Sequence, residues 1–113
     1  MSSLTTTEQK VLNQFVEYLN QVANNEIIKV ILYGSKARGD NRPDSDMDVL
    51  ILVQDKKRID RDKIYDFIID VELEYGIDIS LNIYDNDRFN QLASIKAPFV
   101  MNVIKEGENL WTI

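Results

Sequence analysis

The sequence predicts a small α/β (α+β) fold, in which a mixed sheet of three to four strands is flanked by helices. Short apolar runs rich in β-branched residues alternate with longer segments whose apolar residues recur at helical spacing. Asparagine, glycine and proline separate these segments. The chain has 113 residues and contains no cysteine and no histidine. We therefore expect one domain over residues 1–113 that has no disulfide and no zinc site.

The elements are predicted in the order αβ(α)βαβαα. Thr5 and Glu8 form a capping box at the start of the first helix. Gly76 is expected to end a central helix, and the last helix is expected to begin at Pro98. A short helix is predicted over residues 88–94 and an edge strand over 109–111. The three main strands are predicted over residues 27–33, 46–53 and 78–84.

Composition excludes several classes of protein. With 13 basic and 19 acidic residues the formal net charge is −6, which argues against a large nucleic-acid surface. One basic cluster follows the second strand, and we interpret it as a solvated face: Lys56, Lys57, Arg58, Arg61 and Lys63. There is no signal-like leader and no apolar run of about 18 residues. The expectation is a cytoplasmic protein that does not bind membranes.

Acidic residues begin two of the predicted strands. Asp46 and Asp48 lie two residues apart, so their side chains project from the same face of a strand. Asp78 begins the third strand and adds a carboxylate if the two strands are neighbours. Like charges this close repel each other, and a divalent cation relieves that repulsion. A site of oxygen ligands favours Mg²⁺, Mn²⁺ or Ca²⁺.

A Gly-Ser pair follows the first strand. Gly34 allows close backbone approach to a ligand, and Ser35 adds a hydroxyl to the N–H groups of the turn. Arg38 can bind phosphate oxygens through two N–H groups. Each feature alone has an ordinary interpretation, since Gly34-Ser35 can be a simple turn and Asp46 can cap a solvated loop. Together they predict a nucleoside triphosphate site for in-line attack at phosphorus.

The pattern Gly34-Ser35, ten residues, then Asp46-Met47-Asp48 resembles the GS-x10-DxD signature of the minimal nucleotidyltransferases of the DNA polymerase β superfamily. The resemblance implies the polymerase β-like nucleotidyltransferase fold. It implies catalytic, Mg²⁺-binding roles, with one or two ions, for Asp46, Asp48 and Asp78. Asp78 would also act as a base, and Asp70 and Asp85 are its rivals. Residues implied to hold ATP are Gly34, Ser35, Arg38 and Ser45.

The chain resembles in particular the antitoxin of HEPN/MNT toxin–antitoxin pairs. That resemblance implies transfer of AMP from ATP to a tyrosine of a HEPN-type RNase toxin, which would also be the partner in a hetero-oligomer. Few residues remain outside the predicted catalytic core to build an acceptor pocket. Two alternatives stay open: an aminoglycoside-type enzyme that modifies small molecules, and a non-catalytic module that binds the toxin.

Overall fold

The computed structural model describes residues 4–40, 42 and 45–113. Its helices and strands confirm the predicted α/β class. A 3₁₀ turn, Lys56–Arg58, follows the second strand. The elements are α1 (Thr6–Val22), β1 (Ile27–Tyr33), α2 (Ser35–Arg38), β2 (Met47–Val53), α3 (Arg61–Tyr75), β3 (Ile79–Asp85), α4 (Asn86–Ser94), α5 (Pro98–Glu106) and β4 (Glu108–Thr112).

The four strands form one mixed sheet in the order β3-β2-β1-β4. β1 is antiparallel to β2 and to β4, whereas β2 is parallel to β3. At one end of the sheet, Tyr33 of β1, Asp48 of β2 and Ser80 of β3 lie side by side. Because paired residues share a face, these three side chains lie on the same side of the sheet.

Helices cover both faces of the sheet. α1 and α3 pack on one face, against alternate strand residues such as Val30, Val49 and Ile51. α4 and α5 pack on the other face, where Leu50 and Leu52 are buried. The central strand β2 is therefore apolar on both sides, which is typical of a strand that is covered on both faces. Asp48 shares the face of Leu50 and lies beyond the end of that second core.

The predicted helix caps are confirmed. Thr5 and Glu8 form the reciprocal capping box of α1, and Gly76 ends α3 in the left-handed conformation. Pro98 begins α5. The predicted strand 109–111 is present as β4 and pairs with β1. Within the described residues no helix is both long and apolar enough to cross a membrane.

Several predicted boundaries differ from the structure by one or two residues. β2 begins at Met47 rather than at residue 46, and β3 covers Ile79–Asp85 rather than 78–84. α4 begins at Asn86, two residues earlier than predicted. The early start of α4 follows from Asp85, which is both the last residue of β3 and the N-cap of α4.

Candidate active site

The backbone at Gly34 lies directly against the carboxylate of Asp48. Gly34 has a φ of 76°, which residues with side chains rarely adopt, and a Cβ atom there would collide with Oδ2 of Asp48. The contact follows from topology, because Tyr33 at the end of β1 pairs with Asp48 near the start of β2. The structure thus brings the Gly-Ser pair and the acidic pair together.

The turn after Gly34 presents backbone donors beside this contact. The N–H of Arg38 donates to the carbonyl of Gly34 at 3.1 Å, and that of Gly39 donates to the carbonyl of Ser35 at 2.9 Å. The N–H groups of residues 35–37 precede the first bond of the turn and have no acceptor inside it. Together with the Ser35 hydroxyl, they are the kind of donors that phosphate oxygens require.

Asp46 and Asp48 form an electrostatically strained pair. Asp46 is exposed and Asp48 is half-buried. Burial and then the charge of Asp46 raise the pKa of Asp48, against the opposing charge of Arg38. Within residues 4–40, 42 and 45–113, no group donates a hydrogen bond to the Asp48 carboxylate. Such carboxylates fit a divalent cation that prefers oxygen ligands.

The predicted third carboxylate is less well placed. Asp78 is exposed just before β3, and its carbonyl accepts a hydrogen bond from the N–H of Met47 at 3.0 Å. Its charge is not among those that shift the pKa of Asp48. The part of the chain that the structure describes contains no group of three acidic side chains arranged to hold a metal ion. The role of Asp78 therefore stays a prediction.

Ser80 is the residue of β3 that the register places beside Asp48. Sequence reasoning missed it, because the pairing register of β3 on β2 cannot be read from either strand alone. The two rivals of Asp78 lie elsewhere. Asp70 is on α3, which packs on the opposite face of the sheet, and Asp85 is at the far end of β3, where it accepts a hydrogen bond from the N–H of Lys56 at 2.7 Å.

The other two predicted nucleotide ligands are engaged within the protein. Nε of Arg38 lies 3.0 Å from Oδ2 of Asp40, and its Nη1 lies 2.9 Å from Oε2 of Glu106. These carboxylates raise the pKa of Arg38, which stays charged. The hydroxyl of Ser45 donates to the carbonyl of Arg42 at 2.5 Å. Phosphate binding by Arg38 or Ser45 requires an exchange of these bonds and stays a prediction.

Lys36 has a structural role that the sequence did not reveal. Its side chain is 2% exposed, and its Nζ lies 2.7 Å from Oε2 of Glu8 in α1. Burial acts to raise the pKa of Glu8, but hydrogen bonds from Lys36 and Thr5 outweigh it, so the pKa is lowered. The ion pair between Lys36 and Glu8 holds α2 against α1 and so fixes the position of Ser35.

Aromatic and amide side chains surround Asp48 on its face of the sheet. Oη of Tyr33 accepts a hydrogen bond from Nδ2 of Asn82 at 2.7 Å, and its ring meets Phe99 edge-to-face with centroids 5.5 Å apart. Burial raises the pKa of Tyr33, and the charge of Asp48 adds to the shift. Tyr33 therefore packs as a neutral side chain.

The fold and the site together define a nucleotidyltransferase: a Gly-Ser turn follows the first of two paired strands, and it lies against an acidic pair at the start of the second. Comparison with known families agrees with this class. The family described as "Polymerase beta, Nucleotidyltransferase" matches residues 13–113. The chain belongs to that family.

Sequence relatives cover nearly the whole chain. One is "Putative protein adenylyltransferase MJ0604" of Methanocaldococcus jannaschii, which is 35% identical over 104 residues, or 92% of this chain and 98% of the relative. A second from the same organism, "Putative protein adenylyltransferase MJ0141", is 32% identical over 99 residues, or 87% of this chain and 93% of the relative.

Solved structures share the fold at low identity. A toxin–antitoxin crystal structure with AMP-PNP matches with a TM-score of 0.62 and 18% identity, over 90% of this chain and 73% of the other. The MNT antitoxin in complex with the tri-AMPylated HEPN toxin of Shewanella oneidensis matches with a TM-score of 0.56 and 18% identity, over 93% and 72%. A structure described as "putative minimal nucleotidyltransferase" matches with a TM-score of 0.53 and 23% identity, over 90% of this chain and 95% of the other.

Proposed function

We propose that this protein transfers AMP from ATP to a tyrosine hydroxyl of a HEPN-type toxin and so acts as an antitoxin. The observation that carries the proposal is the contact between Gly34 and the Asp48 carboxylate. This contact places the turn after Gly34, with its N–H donors, next to the acidic pair. The two carboxylates of that pair repel each other unless a cation is bound. Because ATP is the substrate, we place the reaction in the cytoplasm.

The chain's own residues supply binding and orientation. The N–H groups of residues 35–37 and the Ser35 hydroxyl bind the triphosphate, with Arg38 and Ser45 as further ligands. Asp46 and Asp48 would hold Mg²⁺, one ion or two, with Asp78 as a third carboxylate. Bound Mg²⁺ would neutralise the developing charge on phosphate oxygens.

The transfer step is an exchange of two bonds at the α-phosphorus. The acceptor oxygen attacks it in line, and the new oxygen–phosphorus bond forms as the bond to the bridging oxygen of pyrophosphate breaks. The proton of the acceptor hydroxyl passes to a carboxylate, which we assign to Asp78. The products are the AMP-modified hydroxyl and pyrophosphate.

The choice of a protein acceptor is supported by the relatives. Two sequence relatives that cover most of the chain bear the name of protein adenylyltransferases. One neighbour in fold was crystallised as an antitoxin with a HEPN toxin that carries three AMP groups. These names favour a protein over a small molecule as the acceptor.

The test is transfer of label from ATP carrying a radioactive α-phosphate to the purified product of the adjacent gene. We expect label on that protein in the presence of Mg²⁺ and none with Asp48→Asn. Asp78→Asn is expected to reduce labelling strongly as well. Asp66→Asn is the matched control, because Asp66 is an exposed aspartate of α3, which packs on the opposite face of the sheet.

Two results would redirect the proposal. Labelling of an aminoglycoside without labelling of the neighbouring protein would indicate a small-molecule enzyme. Undiminished neutralisation of the toxin by Asp48→Asn in cells would indicate that binding alone is sufficient.

A further inference from the structure

The outer edge of β3 is open. β3 is the terminal strand of the sheet, and within the described residues only β2 pairs with it. Met47 pairs with Ile79, and the N–H of Met47 donates to the carbonyl of Asp78. In a parallel ladder this pattern directs the backbone groups of Ile79, Leu81 and Ile83 away from β2. These groups are available to another strand.

A groove runs along this edge from Leu81, the residue after Ser80, to Asp85 at the far end of β3. It has a volume of about 370 Å³ and is lined by residues 81–85 together with Lys56, Arg61 and Arg88. Lys56 and Arg61 lie on the side of the 3₁₀ turn and α3, and Arg88 lies on α4. Backbone groups of an edge strand at the base of a concave surface provide a binding surface for an extended peptide.

The groove is basic although the chain is acidic overall. Lys56, Arg61 and Arg88 are exposed, and none forms an ion pair with another residue of the described ranges. The one lining carboxylate, Asp85, accepts a hydrogen bond from the backbone of Lys56. These three cations give the groove a local positive charge in a chain whose net charge is −6. They favour a segment that carries acidic residues.

The open edge of β3 and the turn that begins at Gly34 lie on opposite sides of Asp48. Gly34 follows β1, which pairs with one side of β2, whereas Ser80 lies in β3 on the other side. In-line transfer needs the attacking hydroxyl opposite the leaving pyrophosphate. If the triphosphate lies at Gly34, the acceptor approaches from the side of β3.

We propose that an extended, acidic segment of the acceptor protein pairs with the open edge of β3 and presents its hydroxyl to the site at Asp48. The inference rests on the proposed function and specifies how its substrate binds. A fifth strand would lie about 4.8 Å from β3 and about 9.6 Å from β2. A long side chain such as tyrosine, on the face of Asp48, can extend across β3 toward the site.

A second copy of this chain is a poor occupant of the edge. Pairing two β3 edges would bring the same cations of both copies into one interface, where they repel. Charged residues can also serve only to prevent edge-to-edge aggregation. Charge reversal in the groove separates that role from acceptor binding.

The first experiment reverses the charge of the groove. Arg61→Glu combined with Arg88→Glu should raise KM for the adjacent-gene protein about tenfold, and leave KM for ATP and kcat near their wild-type values. Lys10→Glu combined with Lys105→Glu is the control, since both lysines are exposed and lie on α1 and α5, outside the groove. An unchanged KM for the protein in the groove variant would overturn the inference.

The second experiment blocks the backbone. Leu81→Pro removes an N–H that points to the open edge, a position that tolerates proline in edge strands. Leu81→Ala is the matched control, because both changes remove the same half-buried side chain. We expect a raised KM for the acceptor protein only with Leu81→Pro. Equal acceptor KM values for the two variants, both folded by thermal melting, would refute pairing at β3.

The outcomes separate the two proposals. If the wild-type protein labels no protein acceptor, the proposed function and this inference fail together. If it labels the acceptor and the edge variants do so with wild-type KM, only the inference fails. The charge variant could instead aggregate while its monomeric fraction keeps the wild-type KM for the acceptor. That result would show that the cations serve to prevent edge-to-edge aggregation, and it would also overturn the inference.

Discussion

Asp48→Asn should make the metal-free protein more stable. Asp46 immediately precedes β2 and Asp48 is its second residue, and two residues of extended chain span about 6.6 Å. At an effective dielectric constant of about 40–80, their repulsion is about 0.6–1.3 kcal/mol, and desolvation of the Asp48 charge adds to it. For a chain of 113 residues, a gain of about 1 kcal/mol corresponds to a rise of about 4 °C in Tm.

The pH dependence follows from the same physics. The pKa of Asp48 is raised by burial and by Asp46, so the folded state binds the proton more tightly than the unfolded state. The group therefore stabilises the fold most below its ordinary pKa of about 3.9 and loses this contribution as pH rises through the raised pKa. The advantage of Asp48→Asn should be complete at neutral pH and shrink toward about pH 4.

The assay is thermal unfolding with EDTA across this pH range, repeated with Mg²⁺ and a non-hydrolysable ATP analogue. Ligand at a hundred times its Kd should stabilise the wild type by about 2.7 kcal/mol and the variant much less. A Tm of Asp48→Asn several degrees below wild type in EDTA would refute the reasoning and identify Asp48 as a structural residue.

Three further substitutions test the geometry of the site. Gly34→Ala should lower the free energy of unfolding by about 2 kcal/mol in urea titrations, because the positive φ is strained and the new methyl displaces the carboxylate of Asp48; wild-type stability would contradict the contact. Lys36→Met should lower the free energy of unfolding by about 3 kcal/mol, because it leaves Glu8 buried without its partner. Adding Glu8→Leu should recover much of that loss. No recovery would indicate that lost packing, rather than the unpaired charge, dominates. Ser80→Asp should lower the Tm in EDTA and reverse that loss when Mg²⁺ is added, because it places a carboxylate beside Asp48; a Tm insensitive to Mg²⁺ would argue against a cation there.

Much of the fold was predictable from local patterns. The β-branched runs predicted the strands, and residues such as Thr5, Gly76 and Pro98 marked helix ends because their preferences act over a few residues. The union of Gly34 with Asp48 was also predictable, since both lie at ends of buried strands that follow one another in the chain.

What could not be predicted depends on long-range register and burial. Ser80 is beside Asp48 only because β3 pairs in parallel with β2 from Met47 onward, and a slip by one residue changes which side chain faces the site. Lys36 lies among basic residues in the sequence, and nothing local indicates that its partner is Glu8 in another helix. The open edge of β3 likewise becomes visible only when the strand order is known.

The ion pair between Lys36 and Glu8 bears on how this protein should be shortened for experiments. The family match begins at residue 13, and Glu8 precedes it in α1. A fragment trimmed to the matched region would retain every acidic residue of the candidate site, yet it would leave the buried ammonium group of Lys36 without its partner, next to Ser35, the proposed phosphate ligand. Expression boundaries drawn from homology alone would therefore remove the residue that holds α2 in place beside the candidate site.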